Sequence, residues 1–318
     1  MIILAFLSTL LLSHPATAQE GGDPTRELQN LVYYPHAGVF DATPAYVMSL
    51  NDSSQQQNDA GTETNSTTTH LYELTGTLQY GIVDRLRIGV NDNYFIDSSN
   101  KQTNSTTGVV TTSHSHGLSN PHALLVYRYI ENQNSNFYAD VSLNVGIDVG
   151  PAVQAYSTEG RTGNELNGNW NAALALPFYY MMGSNELGLT IQETRSFGTT
   201  SYGPKEEVIY TTPNWTTSII LQDRYHFLPR WFVDPQIAFD FNTSDTTQVD
   251  GSANTTGHDT GFHVVPAVSV GYLAAEWCLV TLNVSYTNDK NTVTPSTSTS
   301  TDTSVNQTQA SLQARFRF

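Results

Sequence analysis

Ser311-Leu312-Gln313-Ala314-Arg315-Phe316-Arg317-Phe318 closes the sequence. Apolar and polar residues alternate through it. Leu312, Ala314, Phe316 and Phe318 would share one face of a strand, and Gln313, Arg315 and Arg317 the other. Chain ends are ordinarily polar and frayed. One that finishes on phenylalanine in strict alternation is expected to be embedded and to have a neighbouring strand, which the spacing places near Ala45–Leu50.

The same period recurs upstream. Phe137, Ala139, Val141, Leu143, Val145, Ile147 and Val149 form one apolar face, opposite Tyr138, Asp140, Ser142, Asn144, Gly146 and Asp148. Tyr72–Ile82, Trp170–Tyr180, Trp231–Phe241, Phe262–Tyr272 and Val280–Tyr286 repeat it. The connections fall into two classes. Short ones lie at Val83–Arg85, Glu131–Ser135, Gly183–Asn185, Leu228–Arg230 and Ala274–Glu276. Long Ser/Thr/Asn/Gly-rich ones lie at Asn51–Thr67, Ser98–Ser115, Gly150–Gly168, Thr199–Pro213, Asn242–Asp259 and Thr287–Thr303. A β-sandwich has no reason to sort its connections by length. A transmembrane barrel does, with short periplasmic turns and long extracellular loops. The expected fold is all-β: an antiparallel up-and-down barrel of about twelve strands, each holding the roughly 9–11 residues that cross a bilayer.

The opening residues agree with export. Met1–Leu12 is an apolar-to-small run, followed by Ala16-Thr17-Ala18, an h-region with an A-x-A site, although no Lys or Arg precedes Arg26. The expected organisation is a signal peptide over 1–18, a periplasmic lead-in over 19–42 and the outer-membrane barrel over 43–318. Asp23-Pro24 could cap a short helix within the lead-in, but a plain extension is the simpler reading. A single cysteine, Cys278, excludes an intramolecular disulfide framework. A net charge of −16 with only 13% charged residues leaves no basic footprint for nucleic acid.

Aromatic residues gather near strand ends: Tyr80, Tyr127, Phe178, Tyr225, Trp231, Tyr272 and Trp277 toward the short turns, and Trp170, Trp215, Phe241, Phe262 and Tyr286 toward the long connections. Two interfacial girdles produce that distribution. Asp92, Glu193 and Asp223 fall on the lipid face by parity, and a β-bulge before each is the expected repair. The lumen face carries the chemistry. Arg87, Arg128, Arg224, His226, Arg315 and Arg317 lie near the short turns with Asp140 and Asp234, while Glu73, Asp148 and Asp240 lie further out. Symmetric register across two turns sets Arg128 opposite Asp140 and Arg224 opposite Asp234, predicting two inward ion pairs. The candidate pore-lining residues are therefore Glu73, Arg87, Arg128, Asp140, Arg224, Asp234, Arg315 and Arg317. They would act as a salt network filling a narrow barrel or as a basic constriction for small polar or anionic solutes.

Other motifs carry little. His114-Ser115-His116 lacks a third metal ligand, and Ser119, His122 and the scattered aspartates have no supporting nucleophile–base motif. No catalysis, metal or cofactor is expected. The expected partners are outer-membrane lipid, a small-molecule solute and the barrel-assembly machinery, to which a terminal aromatic strand resembles a recognition signal.

Leu78-Gln79-Tyr80-Gly81-Ile82-Val83-Asp84-Arg85-Leu86-Arg87-Ile88-Gly89-Val90 resembles a hairpin of a large family of outer-membrane barrels associated with the meta-pathway of phenol degradation. That hairpin reads aromatic-Gly-apolar-x-Asp-apolar/Arg-Leu-x-apolar-Gly. In it, Gly81 would let the strand enter the turn and Asp84 would support the turn by local hydrogen bonding. The resemblance implies a barrel that moves small aromatic or hydrophobic compounds, whereas the lumen face read above is polar. The expected function is passive diffusion of small solutes, aromatic or anionic, through a polar lumen in the outer membrane of a Gram-negative bacterium. The alternative is a plugged barrel whose polar loops bind partners.

Overall fold

A computed structural model describes residues 28–31, 33–58, 63–132, 134–149, 152–153, 170–202, 208–249, 255–258, 261–295 and 301–318. The signal peptide over 1–18 and the Asp23-Pro24 cap lie outside the described residues. The described residues form one closed antiparallel barrel of 12 strands. In chain order they are β1 (Phe40–Asn58), β2 (Glu63–Val83), β3 (Leu86–Asn104), β4 (Val110–Leu118 and His122–Asn132), β5 (Phe137–Gly146) and β6 (Asn171–Met182). The round continues with β7 (Asn185–Ser196, then Thr199–Tyr202), β8 (Val208–Thr211 and Asn214–Leu228), β9 (Trp231–Asn242 and Asp245–Val249), β10 (Thr255–His258 and Gly261–Ala275), β11 (Cys278–Pro295) and β12 (Thr301–Arg317).

Each strand pairs with its sequence neighbours, and β12 pairs with β1 to close the ring. Ala45, Tyr46, Val47, Met48 and Ser49 face Gln313, Leu312, Ser311, Ala310 and Gln309. Phe40 and Phe318 exchange both backbone bonds across the seam, N–H to O=C at 3.1 and 2.9 Å. The final strand is thus fully paired, which removes the sheet edges that a bilayer does not tolerate. β1 opens at Phe40, ahead of the expected Thr43, because Phe40 already pairs with Tyr80 and packs on its ring at 4.6 Å.

The outward face is the apolar band. Leu74, Leu78, Ile88, Val90, Leu125, Leu174, Val268, Leu282 and Leu312 are exposed on it, where in a membrane they meet hydrocarbon. Rings cluster at both ends: Trp231–Tyr272 at 4.6 Å and Trp277–Phe316–Phe318 at 6.2 and 6.3 Å near the short turns, and Phe241–Phe262 at 5.0 Å near the other end.

Two expectations are corrected. The long polar connections are largely strand: β1, β2 and β3 run 19, 21 and 19 residues, and β11 and β12 run 18 and 17. Once the barrel sets a template, Thr-rich segments continue the ladder beyond membrane thickness, since threonine suits a pleated sheet whatever its polarity. The β3–β4 hairpin, for example, turns only at Asn104–Val109. There the Asn104 carboxamide accepts from Thr106 and Thr107 N–H, and Gly108 takes φ +68°. The second correction concerns Asp92, Glu193 and Asp223, which no bulge precedes. They keep their outward parity and take polar partners instead: the Ser119 hydroxyl at 3.1 Å, the Thr217 hydroxyl at 2.8 Å and the Asn185 amide at 3.1 Å, respectively. Burial to 4% exposure further screens Asp223 from lipid.

Candidate functional site

Strand parity turns Arg87, Val126, Arg128, Asp140, Tyr179, Glu186, Arg224, His226, Phe232, Asp234, Leu273, Leu279 and Arg315 into the lumen near the short turns. Both predicted ion pairs form. Arg128 Nε donates to Asp140 Oδ1 at 2.8 Å, and Arg224 Nη2 to Asp234 Oδ2 at 2.7 Å. Asp140 and Asp234 are 2% and 0% exposed, so neither carboxylate leans on water. Gln222 adds two amide contacts to Asp234 at 3.2 and 3.0 Å, filling lone pairs that one guanidinium leaves open.

Two further pairs escape a sequence reading. Arg315 Nε lies 2.9 Å from Asp41 Oδ2, and His226 Nε2 lies 2.8 Å from Glu186 Oε1. Asp41 is hidden by the placement of the barrel start after it. Glu186 sits opposite Arg224 in register, and only the tilt of its side chain brings it to His226. The remaining candidates separate. Glu73 is buried on the inner face of β2, well away from the short turns. Arg317 Nη2 donates to the Glu276 carbonyl at 3.3 Å, at the β10–β11 turn, and so sits at the rim outside the constriction.

The lead-in is the largest departure from expectation. Over Leu28–His36 it is not a plain periplasmic extension, because most of it lies inside the barrel mouth. Leu28, Gln29, Tyr33 and Tyr34 are 1%, 0%, 5% and 4% exposed. Leu28 and Tyr33 pack with Phe232, Leu273 and Leu279 from the opposite wall. The Gln29 carbonyl accepts from Arg224 Nη1 at 2.5 Å, and Leu31 N–H donates to Glu186. Tyr34 OH donates to the Val126 carbonyl at 2.6 Å; burial pushes this phenol up to about 12, so it remains a donor. The Arg87 and Arg128 guanidiniums stand 4.5 and 4.6 Å from the Tyr34 ring centre, and Arg315 stands 4.7 Å from that of Tyr33. Such cation–π contacts strengthen where water is excluded.

Two glycines make room for this packing. A Cβ at Gly81 would lie 2.0 Å from the His36 carbonyl oxygen, and one at Gly271 would lie 2.1 Å from the Phe232 ring. Gly81 therefore serves the close approach of the lead-in backbone, bonded through Gly38 N–H to Gly81 O at 2.8 Å, more than entry into the turn.

Further out the lumen changes character. His122–Asn144 at 2.9 Å, Thr216–Asn242 at 2.7 Å, Asn242–His263 at 2.7 Å and Gln307–Asp52 at 2.9 Å are mostly amide, hydroxyl and imidazole contacts. Ser119 bonds Asp92 while His122 bonds Asn144, so these two do not form a nucleophile–base pair with each other. His114 stands 3.4 Å from Asp97, and among the described residues no group of three His, Cys, Asp or Glu converges as a metal site.

No protein-family model matches the chain, and no curated protein matches it in sequence. Solved structures do. An outer membrane channel from Pseudomonas putida F1 is 13% identical with a TM-score of 0.55, over 90% of this chain and 97% of that one. The transport unit of the autotransporter AIDA-I from Escherichia coli is 11% identical with a TM-score of 0.52, over 100% and 97%. At such identities the likeness is one of fold. Closed ring, apolar band and aromatic girdles together define an outer-membrane β-barrel.

Proposed function

We propose that the protein is an outer-membrane channel for small polar solutes, held shut by its own N-terminal segment. One observation carries this reading. Residues of the N-terminal segment are buried inside the barrel mouth, resting on arginines and ion pairs as well as on the apolar wall side chains Phe232, Leu273 and Leu279. A barrel that served only as a stable scaffold would gain more from apolar filling, since buried ion pairs return little net stability. The P. putida protein of similar fold is described as a channel, in line with this assignment. Among the described residues the lumen contacts are mostly charged or polar, so small polar or anionic solutes are the proposed class. Residues 1–18 serve as the export signal in this proposal, and the Phe316–Phe318 end as the mark read by the assembly machinery of a Gram-negative envelope. Deleting Phe318 is then expected to impair insertion more than conductance.

The experiment is planar-bilayer recording of the full-length mature chain and of a chain lacking residues 28–36. Small or flickering conductance in the first and several-fold larger conductance in the second are expected. Silence from both would favour the second reading, a surface-interaction barrel, for which the extension of β1–β3 and β11–β12 beyond membrane thickness speaks.

A further inference from the structure

Among the described residues, four arginines and four carboxylates line the periplasmic lumen, yet they do not pair one to one. Arg128, Arg224 and Arg315 hold Asp140, Asp234 and Asp41, while Glu186 takes His226 and the Leu31 N–H. Arg87 is left over. Its Nε and Nη1 are buried and have no hydrogen-bond partner, and one face of the guanidinium rests on Tyr34. The inner face beside it has the same defect. Gln79 Oε1 and Asn91 Oδ1, on the next two inward-facing rungs, Gln79–Gly89 and Thr77–Asn91, are also buried and unpartnered. Leaving buried polar groups unsatisfied costs stability at each atom. A wall evolved only to stand would pair them, as it pairs the arginines around them.

We infer that Arg87 is a binding site for the carboxylate of a small organic acid passing through the lumen. A guanidinium binds planar oxyanions with charge-assisted hydrogen bonds, and enclosure strengthens them. The neighbouring carboxylates are already held by other cations, so an incoming carboxylate meets Arg87 as the cation without an ion-pair partner. Tyr34 packs on one face of the guanidinium. The Nε–Nη1 edge, buried and without a hydrogen-bond partner here, is offered to the solute when the N-terminal segment lifts in the open channel.

This inference rests on the channel reading, and the test separates the two. Full-length protein is recorded in bilayers with chloride as carrier while L-lactate or its neutral analogue 1,2-propanediol is added. Lactate is expected to block the current saturably and propanediol to leave it unblocked. In R87Q, checked for assembly by heat-modifiable gel migration, the half-blocking lactate concentration is expected to rise at least about tenfold, the scale of one charge-assisted hydrogen bond lost. R87K, which keeps charge without the fork, should fall between, and it decides the matter if R87Q does not assemble. Conductance with equal lactate block in wild type and both variants would overturn the site and leave the channel intact. Absence of any conductance would overturn the channel reading itself.

Discussion

The two halves of the lumen solve the same problem differently. Toward the short turns, full charges are buried and, Arg87 apart, matched: Arg128–Asp140, Arg224–Asp234, Arg315–Asp41 and His226–Glu186, with the N-terminal segment laid across them. Toward the outside, contacts such as Thr216–Asn242–His263 and His122–Asn144 are short but mostly neutral. Matched charges hold only when every partner is present, whereas neutral amides and hydroxyls can exchange for water singly. The inner half is thus built to hold one arrangement, and the outer half to stay wet.

The contrast can be broken most strongly at Asp234. Asp234→Ala leaves Arg224 buried without its carboxylate and should destabilise the barrel by about 3–5 kcal/mol, read as a lowered midpoint in urea unfolding from detergent or liposomes. Gly81→Ala comes next. Its methyl group overlaps the His36 carbonyl, so the segment should be displaced and conductance raised toward that of the chain lacking residues 28–36, with all lumen charges retained. Unchanged conductance would mean the segment is not the gate. Tyr34→Phe removes one hydrogen bond to the Val126 carbonyl, about 1 kcal/mol, and should raise open probability about fivefold in single-channel traces. The smallest effect is expected from Thr216→Ala in the neutral region, where one hydroxyl contact to Asn242 is lost, below about 1 kcal/mol in the same unfolding assay. A loss there as large as at Asp234 would erase the distinction between the halves.

Much of this was legible in the residues. Period-2 alternation from Tyr72 to Phe318 and the two classes of connection sufficed for the barrel. Symmetric register across a short turn sufficed for Arg128–Asp140 and Arg224–Asp234, because pairing in a hairpin is set locally. Three things were not legible. Leu28–His36 has no period of its own, and its contacts reach residues 92 to 195 positions away, such as Val126 and Arg224. Asp41 was out of view because the strand it opens was placed too late. The outer parts of β1–β3, β11 and β12 were masked by Ser/Thr/Asn composition, which describes what a segment meets and says little about how its backbone is bonded.

The reach of that N-terminal segment also bears on the order in which the molecule is made. Hairpins join residues close in sequence, and the rungs of β2–β3 or β8–β9 close short loops at little entropic expense. Gln29 can find Arg224 only after the eighth strand exists, and Tyr33 can find Arg315 only after the twelfth. A segment that precedes every strand in the chain is therefore among the last parts of the barrel to reach its place. The freshly inserted ring passes through an interval in which its centre is still open.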